Sequence, residues 1–393
     1  MGAVGHRREP EVGFGVALRR MRDPILLFLL PVSFAALMIV GYSSSWPIGF
    51  DYRGTLWEPG RALLDGMSVY PEPTRDAVVV GNPAVYPPLF VLVSLPFALL
   101  PVSVASWLWF GVMALAVLVA MWILGVRDRR CLVLAIASPM VVQGLYYGNL
   151  TVLLVLPLAL AWRYRDRPRA AGLAVGVAVA AKLFLWPLAV WLLLTRRFRA
   201  AAWAVGSSVA LTFGAWAVIG FEGLADYPDL LRVVQDVYAV RSISLATVAG
   251  ALGASTDVAV ALAAAAGLAL LLLAAWVVRR DDGDRRAFAL VVTAALVATP
   301  IVWPNYAALL LVPVAVVWPR LSPAWFFGYV LWVIGALSPK PEVSDVCCRP
   351  DSVPVQAWAW SHTEPVFWYA AGMTLVVVAV GSGAALGRAS RPT

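Results

Sequence analysis

The sequence predicts an all-α integral membrane protein, a bundle of about twelve transmembrane helices. The first observation is composition, because 62% of the 393 residues are hydrophobic, 13% are charged and the mean hydropathy is +0.82. The second is that uncharged apolar runs long enough for membrane helices recur from Pro24 to Leu386, and a soluble fold offers no place for them. The third is that the connections between these runs alternate in charge.

The alternation of charge predicts the orientation of the bundle. One set of connections, together with both chain ends, carries 22 of the 30 basic residues, and the intervening set carries the other 8 but 14 of the 22 acids. Lysine and arginine are retained on the cytoplasmic side during insertion, so we expect both termini in the cytoplasm of a multi-pass plasma-membrane protein. The net charge of +8 reflects arginines beside anionic lipid headgroups, and it indicates no nucleic-acid partner.

Residues 1–23 are predicted to be a cytoplasmic N-terminus, and the following apolar run has no small-residue cleavage site, so it is interpreted as a retained helix. The run 131–162 is divided in two because Gln143, Gly148, Asn149 and Thr151 interrupt it. The predicted spans are 24–42, 102–125, 131–146, 150–162, 170–182, 183–195, 200–219, 257–278, 287–303, 306–319, 323–338 and 365–386. Several are shorter than the roughly 20 residues that cross a bilayer, which predicts a cavity that opens outward at their tips.

Three predicted outer segments are long. The first, 43–101, contains a helix-like stretch at 55–66, a polar turn at 71–82 and an apolar piece at 88–101 that is too short to span, so it is predicted to hold interfacial or re-entrant helices. The second, 221–256, mixes polar and aromatic residues. The third, 339–365, carries Cys347 and Cys348, either as a disulfide between neighbours or as two thiols.

Three charged residues are candidates for chemistry on the outer face. Asp51 follows the first span by about nine residues, where a carboxylate can act as a general base; the alternative is a solvated loop aspartate. Lys182 is the only lysine within the apolar body, where it needs a counter-charge such as a phosphate; the alternative is a lysine that snorkels to the headgroups. Arg241 either holds an anionic headgroup or pairs with an acid.

Neutral polar residues cluster at two further helix tips. Gln143 and Asn149, with the nearby Thr151, suit sugar hydroxyls, although helix capping and helix–helix hydrogen bonds are the commoner use of such residues. Trp303, Asn305 and Tyr306 lie in an outer turn and are candidates for the substrate site. The alternative is that this segment is only a turn broken by prolines, without a role in binding. With two histidines and no cluster at ligand spacing, the sequence predicts no catalytic metal, and the lack of a glycine-rich phosphate loop argues against a nucleotide-driven pump.

The order of several short motifs resembles a known family. The motifs are Asp51 after the first span, a Leu-Leu-Asp-Gly-x-x-x-Tyr stretch at 63–70, Tyr86-Pro87-Pro88, Tyr147 to Thr151, the Lys182 hairpin that ends in Arg-Arg-Phe-Arg, and Thr-Pro-x-x-Trp at 299–303. Together they resemble the GT-C membrane glycosyltransferases of glycosyltransferase family 87, polyprenyl-phosphate-mannose-dependent α-mannosyltransferases of actinobacterial envelope synthesis. The resemblance covers residues 24–320 of a predicted single polytopic domain, 1–393, with 321–393 as C-terminal helices and an outer loop.

The resemblance implies a GT-C-like bundle and assigns roles to these residues. Asp51 would deprotonate the acceptor hydroxyl of an envelope glycolipid or polysaccharide, and the sugar would come with inversion from a polyprenyl-phosphate donor outside the membrane, without a cofactor. Lys182 would lie near the donor phosphate, and Tyr86 would belong to the substrate site. Two departures leave the sugar open between mannose and arabinofuranose. The chain has Gly148-Asn149-Leu150-Thr151 where the family usually has Gly-Gln-x-Asn, and Asn305-Tyr306 where the mannosyltransferases have histidine.

A different class, a twelve-helix secondary transporter, predicts two similar halves and short outer loops. The first outer segment has 59 residues and the two halves are dissimilar, so the sequence favours the enzyme.

Overall fold

A computed structural model describes residues 25–80, 84–238, 242–337 and 363–386, and every regular element in these ranges is helical. The all-α prediction is therefore confirmed for the described part of the chain. Arg241, Cys347 and Cys348 lie outside the described residues, as does nearly all of the predicted third outer segment.

The first apolar run forms a π-helical turn, Ile25–Leu29, followed by a regular helix. The long segment after it folds into short helices, as predicted, with one additional helix at 75–80 where the sequence suggested only a polar turn. The regular helix is α1 (Leu30–Ser43). The helices of the long segment are α2 (Phe50–Tyr52), α3 (Glu58–Leu64), α4 (Arg75–Val80) and α5 (Leu89–Ala98), with a π-helical turn at Arg53–Trp57 between α2 and α3.

The next helices form the centre of the bundle. They are α6 (Val102–Ile123), α7 (Arg129–Ile136), α8 (Pro139–Tyr147), α9 (Leu150–Leu153), α10 (Val155–Arg163), α11 (Pro168–Ala181), a 3₁₀ turn Leu183–Leu185, α12 (Pro187–Leu194) and α13 (Phe198–Val218). The break that the sequence predicted between 146 and 150 is present. There α8 ends at Gly148, whose φ is +75°, and the side chain of Asn149 caps α9.

The second half begins with an amphipathic helix and ends with a long one. Its elements are α14 (Tyr227–Tyr238), α15 (Leu245–Ala251), α16 (Thr256–Val277), α17 (Gly283–Ala298), a 3₁₀ helix Pro304–Leu310, α18 (Leu311–Val317), a 3₁₀ turn Pro323–Phe326, α19 (Phe327–Leu337) and α20 (Thr363–Leu386).

Three described helices, α6, α13 and α16, are long and apolar enough to cross a membrane. A fourth crossing results if α7 and α8, bent by 49°, are counted together. Most of the remaining apolar helices, apart from the 24-residue α20, are shorter than a bilayer needs, so the predicted number of twelve spans is not confirmed. Most helices nevertheless begin and end within a few residues of the predicted runs. The exceptions are 131–146, which is broken at 137–138, and 287–303, which is observed as Gly283–Ala298.

Helix α11 packs against α13 through small residues. Beta-carbon atoms added at Gly172 or Gly176 would collide with Trp203 or with Ser207 on α13, so glycine permits the close approach of the two helices. This packing, and the short turn between α11 and α12, place Lys182 at one tip of a helical hairpin, as predicted.

The helix ends farthest from Lys182 meet in a cluster of charged side chains around Asp284 on α17. Its carboxylate accepts hydrogen bonds from Arg165 Nε at 3.0 Å, from Arg197 Nη1 and Nη2 at 2.9 and 2.8 Å, and from Trp191 Nε1 at 2.9 Å. Arg197 also bonds Asp166, and this bond lowers the pKa of the Asp166 carboxyl. Three arginine-bearing connections therefore share one end of the bundle, about 21 Å along the 14-residue α11 from Lys182.

Candidate active site

The short helix that carries Asp51 is held against the turn that joins α8 and α9. Gly49 precedes the helix with a φ of +75°, and its N–H donates to Tyr146 O at 2.8 Å. Gly148 also has a φ of +75°, and a Cβ there would lie 2.5 Å from Tyr52 Cβ. Only glycine combines this left-handed backbone with such a close approach, so the two glycines set the position of Asp51.

Trp109 of α6 also holds Tyr52 against Gly148. Its indole Nε1 donates to Gly148 O at 3.0 Å, and its ring stacks on Tyr52 with ring centroids 5.1 Å apart. Both aromatic side chains are almost fully buried. The half-buried Asp51 therefore projects from a rigid support rather than from a solvated loop.

A continuous chain of hydrogen bonds runs from Asp51 to Tyr306. Asn149 Nδ2 donates to Asp51 Oδ2 at 2.8 Å, while Asn149 Oδ1 accepts from Thr151 N at 3.0 Å. Thr151 Oγ1 in turn accepts from Lys182 Nζ at 2.7 Å, and the same ammonium donates to Tyr306 Oη at 2.7 Å. Four predicted site residues, together with Thr151, thus form one network, here called the Asp51–Tyr306 network.

Lys182 is enclosed by aromatic rings and is only 4% exposed. Its ammonium lies 4.7 Å from the ring centroid of Tyr86 and 4.0 Å from that of Tyr306, and Tyr306 stacks on Phe184 at 5.5 Å. Cation–π contacts and two hydrogen bonds stabilise the buried cation, and the Asp51 carboxylate lies close enough to interact with it electrostatically. The side chain therefore points into the protein and does not snorkel.

The predictions missed the aromatic cluster that holds Tyr86 over Lys182. Tyr70 Oη donates to Tyr86 O at 2.7 Å, and Tyr227 Oη donates to the neighbouring Val85 O at 2.9 Å. Tyr70 also stacks on Trp216 at 4.9 Å. Tyr70 ends the 63–70 motif, but no local pattern indicates that it meets residues on α13 and α14.

The other predicted site residues lie near the network or outside the described part of the chain. Gln143 is on α8, which packs against the 3₁₀ helix that carries Asn305. Gln143 Oε1 and Asn305 Oδ1 are buried acceptors without a hydrogen-bond partner among the described residues, so both can accept from a substrate hydroxyl. Trp303 packs edge-on against Tyr238, with ring centroids 5.9 Å apart, and its backbone carbonyl accepts a hydrogen bond from Tyr306 N at 2.9 Å. Arg241 lies outside the described residues.

The arrangement combines a carboxylate, a buried cation and hydroxyl and amide groups at the tips of short helices. A carboxylate on a rigid support can accept a proton from a substrate hydroxyl. A cation in surroundings of low dielectric stabilises negative charge that develops on a leaving group more strongly than it would in water. The site is thus suited to group transfer between a hydroxyl acceptor and an anionic donor.

Comparison with known proteins gives two matches. The sequence profile of glycosyltransferase family 87 matches residues 84–304, more than half of the chain and a range that includes Tyr86, Asn149 and Lys182 but not Asp51. The polyprenol-phosphate-mannose-dependent alpha-(1-2)-phosphatidylinositol pentamannoside mannosyltransferase of Mycolicibacterium smegmatis is 27% identical over 245 residues. That alignment covers 59% of this chain and 58% of the relative, so less than two thirds of either. No solved structure matches the chain.

Proposed function

Because the chain belongs to glycosyltransferase family 87, we propose that it is a membrane glycosyltransferase that transfers mannose from a polyprenyl-phosphate donor to an envelope glycolipid or polysaccharide. The observation that carries the proposal is the Asp51–Tyr306 network, in which a carboxylate and a buried cation are joined at one end of the bundle. The donor is proposed from the activity for which the mycobacterial relative is named.

In the proposed reaction Asp51 takes the proton of the acceptor hydroxyl as the acceptor oxygen attacks the anomeric carbon. The bond from that carbon to the phosphate oxygen breaks on the opposite face of the sugar, so the configuration is inverted. Negative charge on the phosphate grows as this bond breaks, and Lys182 stabilises it. The lipid-linked sugar is a co-substrate, and we propose no metal or cofactor.

We place the site on the extracytoplasmic side, because the arginine-bearing connections joined through Asp284 lie at the other end of the bundle. Single cysteines at positions 76 and 226 should react with an impermeant maleimide from outside intact cells. Cysteines at 166 and 282 should react only after permeabilisation. Outside labelling of position 166 would reverse the orientation and place Lys182 on the cytoplasmic side.

The donor is tested with membranes from a strain that lacks this protein and from the complemented strain. Each is incubated with labelled polyprenyl-phosphate mannose or with labelled polyprenyl-phosphate arabinofuranose, and the labelled glycolipids are separated. We expect one mannosylated product that requires the protein. A product from the arabinose donor alone would identify an arabinofuranosyltransferase, and no product from either would refute the proposed function.

Family membership disfavours the transporter alternative. A protein-dependent movement of an intact small solute, with no new glycosidic bond, would support it.

A further inference from the structure

We propose that Asn149 is a positioning residue, which uses its side-chain amide to fix the Asp51 carboxylate in its ionised form and in one orientation. This inference rests on the proposed function for its catalytic meaning, but the geometry that supports it does not depend on the donor. In this proposal the Asn149 amide binds Asp51, whereas the sequence suggested that it binds sugar hydroxyls.

The two ends of the Asn149 side chain are both committed within the protein. Its Oδ1 accepts from the backbone N–H of Thr151, which is the capping bond at the start of α9. The backbone N–H of Thr151 can bond only to an acceptor, so the atom that faces it must be Oδ1. The amide nitrogen Nδ2 therefore faces Asp51. That nitrogen lies 2.8 Å from Asp51 Oδ2 and donates to it.

The donation favours one protonation state of Asp51. A carboxylate accepts a hydrogen bond from an amide N–H better than a carboxylic acid does, because the charge strengthens the bond. Asn149 is only 3% exposed, so water does not readily replace the amide. The bond also occupies Oδ2 and thereby fixes the plane of the carboxyl group.

Other titratable groups near Asp51 must be considered when its protonation is measured. The phenols of Tyr86, Tyr147 and Tyr306 and the ammonium of Lys182 all lie close enough to interact with its charge. Arg53, two residues along the chain, pairs with Glu58 at 2.9 Å.

The tyrosines and the lysine that approach Asp51 are all kept in an Asn149→Ser variant, in which Tyr86 loses only its hydrogen bond to the Asn149 side chain. Serine keeps a hydroxyl that can cap α9, but it is too short to reach Asp51 as well. The variant therefore separates the capping bond from the bond to the carboxylate. Asp128→Ser is the control for the capping bond, because Asp128 caps α7 by accepting from Arg130 N at 3.0 Å and lies at a different helix end from the Asp51–Tyr306 network. This control also removes the ion pair between Asp128 and the Arg130 side chain, so it is the more disruptive of the two changes.

The protonation of Asp51 is measured directly on purified protein with a hydrophobic carbodiimide, which reacts with protonated carboxyl groups. Mass spectrometry of the peptide that contains residue 51 gives the extent of labelling at each pH, and Asp51→Asn identifies the background. A hydrogen bond to a charged group is worth about 10- to 100-fold in an equilibrium, so the labelling midpoint should rise by about one to two pH units in Asn149→Ser. It should not move in Asp128→Ser.

The transfer rate gives a second readout. The acid limb of its pH profile should move upward by a similar amount in Asn149→Ser, with the KM for the donor unchanged. An unmoved labelling midpoint in a folded Asn149→Ser protein would overturn the inference, and so would loss of folding in both Asn149→Ser and Asn149→Thr. Labelling needs no donor, so a wild-type protein that transfers no sugar would refute the proposed function and leave this test intact.

Discussion

Replacing Lys182 with methionine removes a buried positive charge and keeps most of the volume of the side chain. The ammonium donates two hydrogen bonds at 2.7 Å, to Thr151 and Tyr306, and lies over two tyrosine rings. Each bond from a charged donor contributes about 1.5–3 kcal/mol, whereas desolvation of a buried ion costs several kcal/mol. These opposed contributions nearly cancel, so the free energy of unfolding should change by no more than about 2 kcal/mol.

The effect on turnover should be much larger. The charge that Lys182 stabilises in the proposed reaction develops only as the phosphate departs, and loss of one such electrostatic contact costs roughly 100- to 1,000-fold in rate. We expect Lys182→Met to lower kcat by that factor. Lys182→Arg should restore only part of it, because a planar guanidinium does not fit the position between Thr151 and Tyr306.

The assay is transfer from labelled polyprenyl-phosphate mannose by purified protein in liposomes, with the yield and the Tm measured on the same preparation. Arg285→Met is the matched control, because Arg285 is also a buried cation, 5% exposed, and pairs with Asp282 at the arginine-bearing end. It should lower the yield but not the rate per molecule. If Lys182→Met behaves like this control, Lys182 is a structural cation and the reasoning is refuted.

Three further variants test the site and its support. Asp51→Asn cannot accept a proton, so turnover should fall at least about 100-fold with little change in Tm; near wild-type turnover would exclude Asp51 as the base. Gly148→Ala places a methyl group 2.5 Å from Tyr52 Cβ at a φ of +75°, so both Tm and turnover should fall, and an unchanged Tm would contradict the close approach. Asp284→Asn weakens a partly exposed ion cluster and should lower the free energy of unfolding by about 1–2 kcal/mol, measured by thermal unfolding. The transfer rate per molecule should be unchanged. A loss of turnover equal to that of Asp51→Asn would show coupling between the two ends of the bundle.

Local pattern predicted most of the helices, because the length of an apolar run and its interruption by glycine or polar residues are properties of neighbouring residues. The boundaries of α6, α11, α13 and α16 and the break before α9 follow directly from the sequence. The number of membrane crossings does not follow, because many of these helices are shorter than a bilayer is thick, and only their packing decides which of them combine.

In the candidate site, too, the sequence identifies single residues and the packing decides which of them meet. Asp51 and Lys182 stand out in the sequence because a charge in or beside an apolar segment costs free energy, and such a residue usually has a functional role. Their connection through Asn149 and Thr151 joins residues 98 and 31 positions apart, and the bond from Lys182 to Tyr306 spans 124 positions. Residues so distant meet only where helix tips converge, and no periodicity predicts such a meeting.

The sequence by itself determined the class of the protein, the positions of most of its longer helices and the two charged residues that needed an explanation. Only the tertiary structure decided that these residues share one hydrogen-bonded network, that tyrosines 70 and 227 hold Tyr86 over Lys182, and that Asp284 ties the arginine-bearing connections together. The physical reason is that hydrophobicity and backbone preference act along a few neighbouring residues. The partners of a buried charge are chosen by whichever distant side chains the packing brings within about 3 Å.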